Sequence, residues 1–170
     1  MIIIIFPNDI YQYGEQLDDF ILLHMFFTKS FGYAVRGILY VALMSDEKKR
    51  VQIDEIAERL SVPKHFLGKI MNKIVKEKIL DSTKGPYGGF SINQDTLSIP
   101  LIKVLEVTEG LEQFSMCALG LRKCDPDHPC PVHHDMERLR SDLKKTLTDA
   151  TINDLVIGNK PELIRNISAY

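Results

Sequence analysis

The chain has 170 residues, 45% hydrophobic and 26% charged, with a formal net charge of −2. That balance suits one compact domain plus an accessory element, and it argues against a disordered or fibrous chain. No stretch reaches the roughly 18 apolar residues of a membrane-spanning helix, and Ile2–Phe6 lacks the basic flank and length of a signal peptide. The chain is therefore expected in the cytoplasm, with its thiols reduced and no membrane partner.

Charge is unevenly spread along the chain. Residues 1–24 carry four acids and no Lys or Arg, residues 25–90 carry 12 Lys or Arg against 7 acids, and residues 91–170 carry 9 against 12. A basic segment within an acidic chain points to local contact with a polyanion, although a solvated charged face has the same composition.

In chain order, residues 1–24 read as an extension. Ile2–Phe6 is strand-like, and Phe20–Phe27 is an apolar patch broken by His24. Neither carries a clear cap, so the segment reads either as an ordered extension or as a stretch upstream of a natural start at Met25. Tyr33–Met44 has helical periodicity with Val35, Ile38, Leu39 and Ala42 on one face. A polar turn at residues 45–50 follows. Ile53–Leu60 forms a short second helix with Ile53, Ile56, Ala57 and Leu60 inward, and Asp54 and Glu55 suit its first turn. Ser61 is expected to cap a third helix, with Pro63 in its first turn and its end near Ile79.

Two short strands, Leu80–Lys84 and Gly89–Asn93, are expected around the glycine-rich link Gly85-Pro86-Tyr87-Gly88-Gly89. Pro100–Glu109 reads as a fourth helix stopped by Gly110. Residues 111–130 read as a loop, Pro131–Ala150 as a long amphipathic helix and Ile152–Ile157 as a last helical turn. The stripe of the long helix is Val132, Met136, Leu139, Leu143 and Leu147.

Helix, short helix, turn, helix and hairpin is the order of a winged helix-turn-helix, whose second paired helix enters the major groove of DNA. The third helix fits that task. Phe66, Leu67, Ile70, Met71 and Ile74 make an apolar face. His65, Gly68, Lys69, Asn72, Lys73 and Lys76 make a separate stripe containing three lysines and no acid. Lys64 and His65 stand at its N-terminal end, where base edges are usually met. Lys84 beside Gly85 places a cation at the wing. Such lysines supply affinity and salt dependence rather than base choice.

All three cysteines, Cys117, Cys124 and Cys130, fall within 14 residues, in the pattern C-x6-C-x5-C-x2-H that ends at His133 and is followed by His134. An odd count in a reducing compartment points to metal or redox chemistry rather than a disulfide framework. Zinc accepts three thiolates and one imidazole, but its ligands usually come as close C-x2–4-C pairs, and none is present. Iron–sulfur clusters use thiolates, accept histidine and tolerate longer loops. Gly120, Pro126, Pro129 and Pro131 would let a loop wrap such a group. Spacing alone leaves both metals open, along with a surface loop carrying incidental cysteines. No nucleophile–base pair, phosphate loop or paired carboxylate motif is present, so catalysis is not expected.

Taken together, these residues resemble the iron–sulfur-sensing winged-helix regulators typified by IscR and NsrR. The likeness spans about residues 25–156. It is carried by MFFTKSFGYAVRGILYVAL, IDEIAERLSVPKHFLGKIMNKIVKEKIL, the wing STKGPYGGF, the cysteine triad and SDLKKTLTDATINDLV.

The resemblance implies a homodimer on a near-palindromic double-stranded operator, with the long helix crossing its partner and repression among the family's roles. It implies that Cys117, Cys124 and Cys130 hold a 2Fe-2S or 4Fe-4S cluster, with zinc the alternative. His133 follows as the first choice for fourth ligand and His134 as the second. The partner carboxylate used in part of the NsrR branch aligns with Gly32, so that ligand is absent. The first cysteine gap is one residue longer than in IscR.

By the same likeness Lys64, His65 and Lys69 meet the major groove and Lys84 stands where an arginine is common. Lysine there keeps the charge but loses the bidentate fork. Gly68 replaces an acid that tunes operator choice in IscR, so the operator sequence does not transfer.

The expected organisation is an extension over 1–24 and a winged helix-turn-helix domain over 25–110. A cluster-binding loop over 111–130, a dimerisation helix over 131–157 and a tail over 158–170 complete it. The fold class is thus mainly α with a small β-hairpin wing and a long dimerisation helix.

Overall fold

Helix α1 (Lys29–Met44) is the hub around which the other elements assemble in the computed structural model, which describes residues 27–47, 49–117, 125 and 127–158. The expected strand at Ile2–Phe6, Cys124 and the tail beyond Gly158 lie outside the described residues.

The periodicity suggests one buried face for α1, but Phe31, Ala34, Ile38, Leu39, Tyr40, Val41 and Leu43 are buried around most of its circumference. It begins four residues before the expected Tyr33, because a distant side chain completes its N-terminus. The Glu109 carboxylate accepts from the Thr28 N–H at 2.8 Å and the Phe31 N–H at 3.3 Å, while Thr28 Oγ1 accepts from the Ser30 N–H at 3.1 Å. These satisfy donors that a helix start leaves without intrahelical partners.

Helix α2 (Ile53–Leu60) has the expected limits and buries Ile56, Ala57 and Leu60. Ser61 plays a different part from the one expected. It ends α2 in the left-handed region at φ 53° and ψ 42°, and its N–H reaches back to the α2 carbonyls. Helix α3 (Lys64–Lys76) starts after Pro63 with no side-chain cap. It stops before Ile79 because Lys78 turns the chain at φ 58°, while the Ile79 N–H reaches the Ile74 carbonyl at 3.0 Å. Ile79 and Leu80 then drop into the core. At Gly37, α1 approaches α3 so closely that a Cβ would sit 2.9 Å from Met71 Sδ.

Strands β1 (Asp81–Thr83) and β2 (Gly89–Ser91) form the antiparallel wing, with Asp81 opposite Ser91 and Thr83 opposite Gly89. Both are shorter than expected. Their third partner is Val51, whose N–H and carbonyl pair with Phe90 at 2.9 and 2.8 Å. Gly89 permits this approach: its φ is 144°, and a Cβ there would meet the Val51 carbonyl oxygen at 2.5 Å.

Helix α4 (Leu101–Glu109) ends at Gly110, as expected, and a short 3-10 turn, Glu112–Phe114, breaks the expected loop. Helix α5 (His133–Asp149) begins two residues later than Pro131, after a turn closed by the His133 N–H to the Cys130 carbonyl. Helix α6 (Ile152–Gly158) starts with a reciprocal cap. The Asp154 carboxylate accepts from the Thr151 N–H at 2.8 Å, and Thr151 Oγ1 accepts from the Asp154 N–H at 3.3 Å. These bonds to Thr151 hold the Asp154 pKa below its ordinary value.

The α5 stripe divides. Leu147 is buried and Leu143 packs on the core, whereas Leu139 is 45% exposed and Val132 36%.

Candidate nucleic-acid interface and cysteine site

The two faces of α3 separate as the pattern requires. Leu67, Ile70, Met71 and Ile74 are buried at 5% exposure or less, while His65, Lys69, Asn72, Lys73 and Lys76 are exposed and Gly68 is half-buried. A Cβ at Gly68 would meet nothing within 4 Å. Among the described residues nothing covers this stripe at its midpoint, and its charge is wholly basic. Lys64 is tied across the turn to Asp54, with Nζ 2.6 Å from Oδ1. An exposed pair of this kind is worth about 0–1 kcal/mol, so a phosphate can compete for that ammonium.

At the wing, Lys84 and Gly85 are exposed and Gly85 has φ 111°. Two contacts brace the hairpin. Arg50 Nε donates to Thr83 Oγ1 at 3.0 Å, and Gln52 Nε2 donates to the Pro86 carbonyl at 2.9 Å. Tyr87 projects from the link at 91% exposure. Arg50 and Tyr87 escaped the sequence reading. Arg50 sits in a run of basic residues that reads as a plain polar turn, and its position beside the wing follows only from the Val51–Phe90 bridge.

Of the expected metal ligands, Cys117, Cys130 and His133 are described. Cys117 is 9% exposed and Cys130 half-buried, with their Sγ atoms 3.9 Å apart. That is too long for a disulfide bond of about 2.05 Å. Two thiolates on one tetrahedral metal, with bonds of about 2.3 Å, stand about 3.8 Å apart. The pair is thus spaced as two ligands of a single zinc, or of one iron in a two-iron cluster.

His133 is 4% exposed at the head of α5, and its Nε2 lies 3.7 Å from Glu137 Oε2. Its ring meets that of His134 edge-on at 5.1 Å. Thiols and imidazole form a soft donor set that suits zinc or iron–sulfur centres rather than magnesium or calcium. The residues present therefore fit a thiolate-bound metal group.

The cysteine segment is joined to α5 by a second link. Arg140, 7% exposed, donates from Nη1 to the carbonyl of Met116, the residue before Cys117. Sequence reading passed over Arg140 because a charged residue on an amphipathic helix reads as solvent-facing.

Comparison with known proteins agrees with this architecture. Residues 27–158 match the model of the Rrf2 family, described as iron-dependent transcriptional regulators. An Aquifex aeolicus (strain VF5) protein named as an HTH-type transcriptional regulator is 34% identical over 134 residues, covering 78% of this chain and 92% of its own. The HTH-type transcriptional regulator IscR of Vibrio vulnificus (strain YJ016) is 27% identical over 128 residues, covering 75% of each chain. Among solved structures, CymR (YrzC), the global cysteine regulator of B. subtilis, shares the fold with a TM-score of 0.64 at 19% identity, over 76% of this chain and 94% of its own. These regulators are not enzymes, and among the described residues no helix is long and apolar enough to cross a membrane. The chain belongs to the Rrf2 family of DNA-binding, winged-helix transcriptional regulators.

Proposed function

We propose that the protein is a dimeric cytoplasmic regulator that reads iron–sulfur status, redox state or nitric oxide through a cluster held by Cys117, Cys124, Cys130 and His133. The observation that carries this reading is the 3.9 Å approach of Cys117 Sγ to Cys130 Sγ, one turn before the buried His133. The likeness to IscR supports the choice of iron–sulfur over zinc. The 3.9 Å spacing suits a two-iron group, in which one iron takes two thiolates. When bound, the cluster supplies a redox- and nitric-oxide-reactive group.

The chain's own residues supply the transmission. Arg140 fixes the Met116 carbonyl to α5, and the Cys130–His133 turn opens the same helix. A change in the order of the cysteine segment is thereby delivered to α5. That helix, with the Val132 that precedes it, offers Met136 and Leu139 to a second copy, so the helix tilt sets the separation of two DNA-reading heads. On each head Lys64, His65, Lys69 and Lys73 face the major groove, and Lys84 and Gly85 approach the backbone at the wing.

Anaerobic purification with a visible spectrum and iron, sulfide and zinc analysis tests the centre. Iron with sulfide, and a gel-shift affinity that changes when they are removed, is the expected result. A colourless, zinc-loaded protein that stays so after reconstitution overturns it in favour of a structural zinc loop. A colourless, metal-free protein that stays so overturns it in favour of a thiol-only loop.

A further inference from the structure

A second set of donors stands beside the thiols. His133, His134 and Glu137 offer ligand atoms that all lie within 4.8 Å of one another at the head of α5. We propose that these three side chains form a mononuclear site for a divalent transition metal of the zinc or ferrous type, chemically distinct from the thiolate centre.

The spacing supplies the first reason. Residues four apart share a helix face, and here they bring His133 Nε2 to 3.7 Å from Glu137 Oε2. Donors bonded to one ion at about 2.0–2.2 Å lie roughly 3–3.5 Å apart. Glu137, with a side chain 64% exposed, is free of packing that would prevent the small rotation needed to close the set.

Exposure supplies the second. His133 is held by the fold at 4% exposure, whereas His134 and Glu137 face solvent. One ligand is therefore fixed in advance, and the remaining coordination positions are open to water or a further ligand.

Chemistry supplies the third. Two imidazoles and a carboxylate are the donor set of open zinc and ferrous sites, while magnesium and calcium prefer oxygen alone. The positive end of the helix dipole opposes a cation here, but the Glu137 carboxylate counters it. Arg138, the nearest cation in sequence, is paired with Asp135 at 2.9 Å. His133 is common to this set and to the cluster ligands proposed above, so the site belongs to the chain without its cluster; it needs no cysteine and stands or falls separately.

The test uses the full-length chain carrying Cys117→Ser, Cys124→Ser and Cys130→Ser together, titrated with Co2+ and competed with Zn2+. One ion per chain should bind, with ligand-field absorption and no thiolate charge-transfer band. His134→Ala or Glu137→Gln in that background should weaken binding by about 10-fold or more, the scale on which altered ligand shells act. Circular dichroism melts check that each variant folds. Should the triple variant not fold, the wild-type chain with its thiols alkylated takes the same titration. Absence of saturable binding, or equal affinity in the His134 and Glu137 variants, overturns the site.

Discussion

The guanidinium of Arg140 donates to the carbonyl of Met116, which places a helix side chain in direct contact with the backbone next to Cys117. The donor is nearly buried although Met116 itself is 58% exposed, and removing a charged donor from such a bond costs about 1–3 kcal/mol. Arg140→Ala should therefore lower the urea midpoint by that order and reduce iron bound per chain after reconstitution. Arg140→Lys should recover part of both. Unchanged stability and iron content in Arg140→Ala would show that this contact does not support the cysteine segment.

Two glycines should respond in opposite directions to the same added methyl. Gly68 lies inside α3 with nothing within 4 Å of its would-be Cβ, so Gly68→Ala should raise stability by about 1 kcal/mol through helix propensity. Gly89 holds φ 144° with the Val51 carbonyl 2.5 Å from a Cβ position, so Gly89→Ala should cost about 2–3 kcal/mol and loosen the wing. Thermal melts of the two variants decide both signs.

The lysine stripe predicts a salt signature. Each phosphate contact contributes about 0.9 to the slope of log affinity against log salt. Lys69→Ala and Lys73→Ala should each flatten that slope by about that amount and weaken binding to all sequences alike. Lys145→Ala, whose ammonium pairs with Asp149 on α5, should leave it unchanged. A slope unaltered by Lys69→Ala would remove that residue from the interface.

What the residues revealed in advance follows from how local the cause was. The faces of α2 and α3 were readable because Ile56, Leu60, Leu67, Ile70 and Ile74 repeat at the helical period, and the wing because Gly85 and Gly89 mark the turn. The start of α1 was not readable, since the Glu109 carboxylate that completes it is 81 residues from Thr28. Ser61 is a good cap by type, but its left-handed conformation was imposed by the tight passage from α2 into Pro63. The cysteine spacing flagged a metal centre. The approach of Cys117 to Cys130 is a tertiary relationship that no spacing rule contains, and Glu137 joined His133 and His134 only once the first turn of α5 was known.

Tyr40 gives the hydrophobic core a titratable reporter. Burial, and then the bond its hydroxyl donates to Glu55 Oε1 at 2.8 Å, push its pKa up to about 12. The unfolded phenol ionises near about 10, so the folded state holds the proton more tightly. The stability this confers is complete below about pH 10 and is lost as pH rises toward about 12. Tyr40→Phe should flatten the fall in stability across that window, at a cost of about 1 kcal/mol near neutral pH. Denaturant midpoints measured from neutral to strongly alkaline pH give the comparison, and an equally steep alkaline fall in the Phe variant would assign the slope to other groups.

The half-covered stripe of α5 leads to the last expectation. Leu147 and Leu143 are satisfied by the chain's own core, but Leu139, in the N-terminal half of α5, is 45% exposed and Val132, the residue just before the helix, 36%. Burying a leucine side chain is worth about 1.5–3 kcal/mol, and a two-fold interface counts each such residue twice. Leu139→Glu should therefore weaken self-association strongly while leaving the monomer folded, since position 139 faces solvent within one chain. Sedimentation should then report a monomer. The same variant should bind an isolated half-site as the wild type does but lose the gain that two linked heads obtain on a full operator. A Leu139→Glu protein that remains dimeric and keeps full-operator affinity would place the interface elsewhere.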